Sequence, residues 1–186
     1  MCSRSHLLRE SARGFSLIEL MIVVGFAIVM MAISVPILTD ISRTTKLNDA
    51  VRSVERELQS ARLRAVNLNR PLRVRLNCPG NGYLRTVEVI GTTEDDSTNR
   101  CLLSAYPYPA ADTDLMTKPN YDGPMRTLPT GATVTSAVFE FEPDGTANTV
   151  VSGTTQSIPS SETITVTRNG KSKLVTVNGA GKIQLQ

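Results

Sequence analysis

Between Leu17 and Leu38 the chain runs for 22 residues, "LIELMIVVGFAIVMMAISVPIL", with Glu19 as its only charge. About 20 apolar residues suffice to cross a bilayer as a helix, so this stretch predicts a membrane-spanning helix. The preceding "MCSRSHLLRESAR" sets Arg4, Arg9 and Arg13 against Glu10. Such a basic flank stays in the cytoplasm, which directs everything after Leu38 outward. A secretory signal peptide cut after Ser34 is the plainer alternative. Two features oppose it. The run exceeds the 7–15-residue apolar core of a signal peptide, and a carboxylate at mid-bilayer costs on the order of 2–3 kcal/mol.

A carboxylate inside a membrane normally has a partner. The run offers none, so the partner must come from a second copy or from a newly made amine. Cleavage between Gly14 and Phe15 creates such an amine four residues before Glu19. "G-F-S-L-I-E" followed by an apolar helix resembles the class III signal of type IV pilins and type II secretion pseudopilins. The resemblance implies that a prepilin peptidase cuts after Gly14 at the cytoplasmic face and that Phe15 becomes an N-methylated N-terminus. It also implies that Glu19 pairs with the terminal amine of a neighbouring subunit as a filament grows. Two charges that are costly alone in lipid become tolerable together, in one stagger. Gly25 and Pro36 weaken the same helix, the first through backbone entropy and the second by removing a donor. A tolerated kink and local loosening in a filament are both open at these positions.

Past the apolar run, Leu47, Val51, Val54, Leu58, Ala61, Ala65 and Leu68 recur at alternating spacings of four and three. That is one apolar stripe on an amphipathic helix, with Arg52, Glu55, Arg56, Glu57 and Arg62 mostly off it. A coiled coil is possible, but burial against the chain's own sheet is the more economical use of the stripe. Asn67, Asn69 and Pro71 end the helix. From Leu17 to about Asn69 it measures roughly 80 Å at 1.5 Å per residue.

The remainder reads as strands. "LRVRLN" (72–77) and "YLRTVEVI" (83–90) flank a Pro-Gly-Asn-Gly turn and predict a hairpin. "ATVTSAVFEFE" (132–142) predicts one strand that ends at Pro143-Asp144-Gly145. "ETITVTR" (162–168) and "KSKLVTV" (171–177) flank Asn169-Gly170, a strong hairpin signal, and "KIQL" (182–185) predicts a last edge strand. Residues 91–131 read as irregular, which suits functional or variable loops. "VFEFEPDGTA" resembles the "F-x-P-D-G" strand and turn of GspH/FimT-type minor pseudopilins, and "ITVTRNGKSKLVTVNGAGKIQLQ" resembles their C-terminal hairpin and last strand.

Cys2 falls in the leader, leaving Cys78 and Cys101 as an even pair in an exported chain, which favours a disulfide. The only histidine, His6, is lost with the leader, so no Cys-His pair can form. No zinc motif, phosphate loop or "G-x-S-x-G" is present. Glu94, Asp95, Asp96 and Asn99 could hold calcium, but their spacing is not that of an EF-hand. A solvated acidic loop is the expectation there.

The competing function is DNA capture. Some FimT-like minor pilins bind DNA through a C-terminal motif resembling G-R-x-R, and here the matching place reads Gly181-Lys182-Ile183-Gln184. Arg168, Lys171 and Lys173 on the adjacent hairpin would add phosphate contacts. Against this, no aromatic platform interleaves with the cations. After leader loss the charge falls to 17 − 16 = +1.

These readings converge on an α+β, pilin-like, ladle-shaped chain. Residues 1–14 form a cleaved cytoplasmic leader, 15–38 a transmembrane and filament-core helix, 39–70 its amphipathic continuation, and 71–186 a β-rich periplasmic head. The implied role is a non-enzymatic subunit of a type IV pilus or type II secretion pseudopilus that helps to initiate or cap the filament. Its implied partners are other pilin subunits, the prepilin peptidase and the inner-membrane assembly platform. No cofactor or metal is called for.

Overall fold

The computed structural model describes residues 14–110 and 119–186. Residues 1–13, with Cys2 and His6, lie outside the described residues, as do residues 111–118 of the 91–131 loop region. Among the described residues a 52-residue helix, α1 (Leu17–Leu68), is followed by ten strands and two short 3-10 helices, Thr93–Asp96 and Thr98–Cys101. The boundary between two compact units falls inside α1, after Ile41.

In the unit that begins at Ser42, the predicted stripe is the core-facing side of α1. Leu47, Ala50, Val51, Val54, Leu58, Ala61 and Ala65 are buried, and Leu68 packs beside them. Burying an aliphatic side chain contributes about 1.5–3 kcal/mol, so this seam holds helix and sheets together. Asn69 takes a left-handed φ of 51°, and the Arg70 amide bonds back to the Ala65 carbonyl, which ends the helix.

Two antiparallel sheets receive that seam. The larger comprises β1 (Leu72–Leu76), β2 (Tyr83–Glu88), β3 (Arg126–Thr127), β5 (Val138–Phe141), β6 (Ala147–Val151) and β7 (Thr154–Ser157), in the order β3-β2-β1-β5-β6-β7. The smaller comprises β4 (Ala132–Val134), β8 (Ser161–Arg168), β9 (Lys171–Asn178) and β10 (Ile183–Leu185), in the order β10-β9-β8-β4. Alternation sets the faces. Leu72, Val74 and Leu76 share the core with Phe139, Phe141 and Leu84, while Ile164, Val166, Val175 and Val177 supply it from the smaller sheet.

Three expectations need correction. The predicted strand 132–142 is two strands, because residues 135–137 cross from one sheet to the other. The Thr135 amide bonds to the Thr165 carbonyl, whereas the Ala137 carbonyl accepts from the Leu76 amide. The second predicted strand stops at Glu88, short of residue 90. The β6–β7 hairpin was not anticipated; its turn, Ser152-Gly153, has φ of 51° and 77°, the pattern of a two-residue hairpin turn.

The smaller sheet lies along α1. At one end of its hairpin Arg62 Nη2 donates to the Ala180 carbonyl (3.2 Å), and at the other Arg168 Nη1 donates to the Arg43 carbonyl (3.5 Å). Nineteen helix residues rise about 28 Å and eight strand residues span about 26 Å, so the two elements match in length.

Candidate functional site

The exposed N-terminal segment comes first. Residues 14–16 are not helical, and the amides of Glu19 and Leu20 both bond to the Ser16 carbonyl as α1 begins. The Gly14–Phe15 peptide bond therefore lies ahead of the helix, and a side chain placed at Gly14 would meet nothing within 4 Å. Glu19 sits in the first turn of α1, where a carboxylate is favoured by the exposed backbone amides. From Phe15 to Ile41 every described side chain is exposed, with Phe15 at 80% and Leu17 at 76%. This is one helix long and apolar enough to cross a membrane. Helix continues unbroken through Gly25 and Pro36. Proline has no N–H to give the carbonyl one turn back, and two residues earlier Ser34 Oγ donates to the Met30 carbonyl (2.8 Å).

In the acidic loop Glu94, Asp96 and Asn99 are exposed, as expected, but Asp95 is not. Asp95 is buried, accepting from the Gly91 amide (2.7 Å) and from Arg100 Nη1 (3.0 Å). Asp96 accepts from Arg73 Nη1 at 2.7 Å. These carboxylates already have cations, and among the described residues no cluster is arranged to hold a metal. Arg100 is wholly buried and also donates to Asp122 Oδ1 (2.6 Å) and the Glu88 carbonyl (2.6 Å), with Tyr106 stacked 5.0 Å from its guanidinium. Arg85, equally buried, donates to the carbonyls of Arg100 (2.7 Å) and Tyr106 (2.6 Å). Burial lowers the pKa of Arg85, with Asp122 opposing that shift. Burial also raises the Tyr106 phenol, aided by its hydrogen bond to Glu94. Arg73 pairs with Glu140 on the same sheet face. The loop after β2 is thus a buttressed cover over the charged side of the larger sheet. The Cys78–Cys101 disulfide, present as expected, pins it next to Arg100. Sequence reading missed this network. Its only local signal is the run of arginines at alternate strand positions, Arg73, Arg75 and Arg85.

The two stretches that carried the family resemblance at the C-terminal end meet in space. Arg62 Nε donates to the Gly145 carbonyl (2.8 Å), and the Ala147 amide donates to the Gly179 carbonyl (2.9 Å). Asp144 Oδ1 accepts from both the amide and the hydroxyl of Thr146 (2.8 and 2.7 Å), which closes the "P-D-G" turn. Gly181 is therefore a packing residue: a Cβ there would lie 2.1 Å from the Gly145 carbonyl oxygen.

The four cations proposed to touch DNA do not converge. Arg168 and Lys171 face each other across the Asn169-Gly170 turn, and Lys173 is two residues on. Lys182 lies at the opposite end of the sheet, its amide bonded to Asn178 Oδ1 (2.8 Å). Seven strand residues, about 23 Å, separate Asn178 from Lys171.

Residues 50–181 match the family model described as type II transport protein GspH. The type IV minor pilin FimU of Pseudomonas aeruginosa is similar in structure at 18% identity, with a TM-score of 0.48, over 78% of this chain and 92% of that one. The minor pseudopilin EpsH of the Vibrio cholerae type 2 secretion system is similar at 14% identity, with a TM-score of 0.41, over 73% of this chain and 91% of that one. No curated protein sequence matches the chain.

Proposed function

The chain belongs to the GspH family of minor pseudopilins, and on that premise we propose that it is a structural subunit of a type IV pilus-class filament, the class that includes the type II secretion pseudopilus. One observation carries the reading: from Leu17 to Leu38 the helix presents an apolar surface on which every described side chain is exposed. Such a surface needs lipid or other copies of itself around it. The subunit is held in the inner membrane by this segment, with its head in the periplasm. The prepilin peptidase cuts it between Gly14 and Phe15, and Phe15 is then N-methylated. The non-helical, open backbone at Gly14 supports cleavage there, because a peptidase needs an extended bond. Glu19 then takes the terminal amine of the neighbouring subunit, and the assembly platform draws the helix from lipid into the filament core. Gly25 and Pro36 let that helix adjust as it packs. As a minor subunit it sits at or near the tip, where filaments are initiated or capped. The buried charges of the head, Arg85, Arg100, Asp95 and Asp122, hold loops in place. DNA capture through Lys182 together with Arg168, Lys171 and Lys173 has less support, given their separation.

The test is the intact mass of the mature protein. The expected chain begins at Phe15 and carries one methyl group. A chain beginning after Ser34, or one that is uncut, would return the protein to an ordinary exported or anchored β-rich domain.

A further inference from the structure

Five places in the chain set an Asn or Asp directly before a Gly: Asn81-Gly82, Asp122-Gly123, Asp144-Gly145, Asn169-Gly170 and Asn178-Gly179. Such a step carries its own chemistry. Glycine has no Cβ to crowd the approach, so its backbone nitrogen can attack the carbonyl carbon of the preceding side chain. The attack needs two freedoms: an amide nitrogen that is not held, and a side chain that can turn towards it.

The fold withholds one or both at four of the five steps. The Gly82 amide donates to Asn77 Oδ1 (3.2 Å). The Gly123 amide donates to the Thr86 carbonyl (2.8 Å), and Asp122 is buried against Arg100. The Gly145 amide donates to the Glu142 carbonyl (2.9 Å), and Asp144 is held by Thr146. Asn178 Oδ1 accepts from the Lys182 amide (2.8 Å), and Gly179 is packed so closely that a Cβ would lie 2.7 Å from the Ile158 carbonyl oxygen. At Asn169-Gly170 both residues are exposed, and among the described residues no hydrogen bond engages the Asn169 side chain or the Gly170 amide. A Cβ on Gly170 would meet nothing within 4 Å. The left-handed turn, with φ of 51° at Asn169, has to open before the nitrogen reaches the side chain. The ladder pair that closes it, Arg168 opposite Lys171, is like-charged, which weakens that end of the hairpin. The same cations favour the deprotonated amide nitrogen that attacks.

We propose that Asn169 is the site at which the folded protein deamidates. The Gly170 nitrogen bonds to Asn169 Cγ and gives its proton to water, the side-chain nitrogen leaves as ammonia, and a cyclic imide forms. Water then adds to either imide carbonyl and reopens the ring, leaving an aspartyl or an isoaspartyl residue at position 169. The sum is one water consumed and one ammonia released, with no oxidation or reduction. Either product sets a carboxylate between Arg168 and Lys171, which removes one unit of positive charge from an exposed turn. The isoaspartyl form also lengthens a two-residue turn whose length sets the register of β8 and β9. The hairpin end thus carries a change of charge that accumulates with the age of the protein.

The test incubates the full chain in neutral buffer made with heavy-oxygen water, one sample folded in mild detergent and one in denaturant. Heavy oxygen incorporated at each Asn-Gly step is then read by peptide mass spectrometry. A native bond that must break first slows a step by up to about ten-fold. In the folded chain Asn169 should therefore take up label about ten-fold faster than Asn81 and Asn178, whereas the three should label at comparable rates in denaturant. Gly170→Ala should abolish labelling at Asn169, because the new Cβ crowds the attacking nitrogen. The proposal is overturned if Asn81 or Asn178 keeps pace with Asn169 in the folded chain, or if Asn169 stays unlabelled there while it labels in denaturant. Labelling that persists in Gly170→Ala would mean direct hydrolysis and overturns it as well.

Discussion

Arg62 Nε donates to the carbonyl of Gly145 at 2.8 Å, and the backbone of Gly181 is pressed against the same carbonyl. Helix, "P-D-G" turn and C-terminal segment are joined at this point. Gly181 has φ of 72°, and an added Cβ would meet the Gly145 oxygen at 2.1 Å. Gly170 has a similar φ of 75° but open space around it. Gly181→Ala should therefore lose about 3 kcal/mol from strain and overpacking together. Gly170→Ala should lose only about 1–2 kcal/mol, the left-handed penalty alone. Denaturant unfolding of the two variants side by side reads the difference; equal losses would mean that the close approach does not matter.

Arg100 has three anchors inside the protein, on Asp95, Asp122 and the Glu88 carbonyl. Removing one partner of a buried pair strands the other charges, at about 3–5 kcal/mol. Arg100→Met should lose that much, and Arg100→Lys should recover little, because an ammonium cannot reproduce the planar fork. Urea midpoints check both.

The disulfide joins residues 23 apart in sequence. Closing such a loop removes unfolded-state entropy worth about 3 kcal/mol. Cys78→Ser with Cys101→Ser should lower stability by that amount and make unfolding insensitive to reductant, whereas the parent protein should weaken when reductant is added.

Two neighbouring carboxylates should respond to pH with opposite sign. Burial first, then the charge of Glu140, raises Glu142 above its usual value. Its contribution is favourable below the unfolded pKa and is lost as pH rises through the raised folded value. Asp144 is lowered, first by the Thr146 hydroxyl and then by the Thr146 amide. Its contribution is present above the unfolded pKa and is lost as pH falls through the lowered one. Glu142→Gln should thus raise stability at neutral pH relative to acid, and Asp144→Asn should lower it. Thermal melts across the acid range check the two signs.

The sequence carried α1 because a helix stripe is a local repeat: Leu47 through Ala65 are spaced to meet one surface, whatever that surface is. The β8–β9 hairpin was legible for the same reason, since Asn169-Gly170 encodes its own turn. Residues 132–142 misled because apolar alternation continues across the change of sheet, which only pairing partners reveal. Strands β6 and β7 were hidden by their Thr, Asn, Gln and Ser content. The burial of Arg100 depends on Asp122, 22 residues along the chain and beyond the reach of a local pattern. Glu19, by the account proposed above, takes its role from a second chain, so the argument for it came from the cost of its charge and not from its own fold.

The most direct test of the assembly account compares wild type, Glu19→Ala and Glu19→Gln for recovery in sheared filaments, normalised to subunit in the membrane. A charge-assisted pair is worth about 1.5–3 kcal/mol. Both variants should therefore reach the membrane and be cut at wild-type levels, yet fall at least about ten-fold in filaments. Incorporation of Glu19→Ala at the wild-type level would contradict the account.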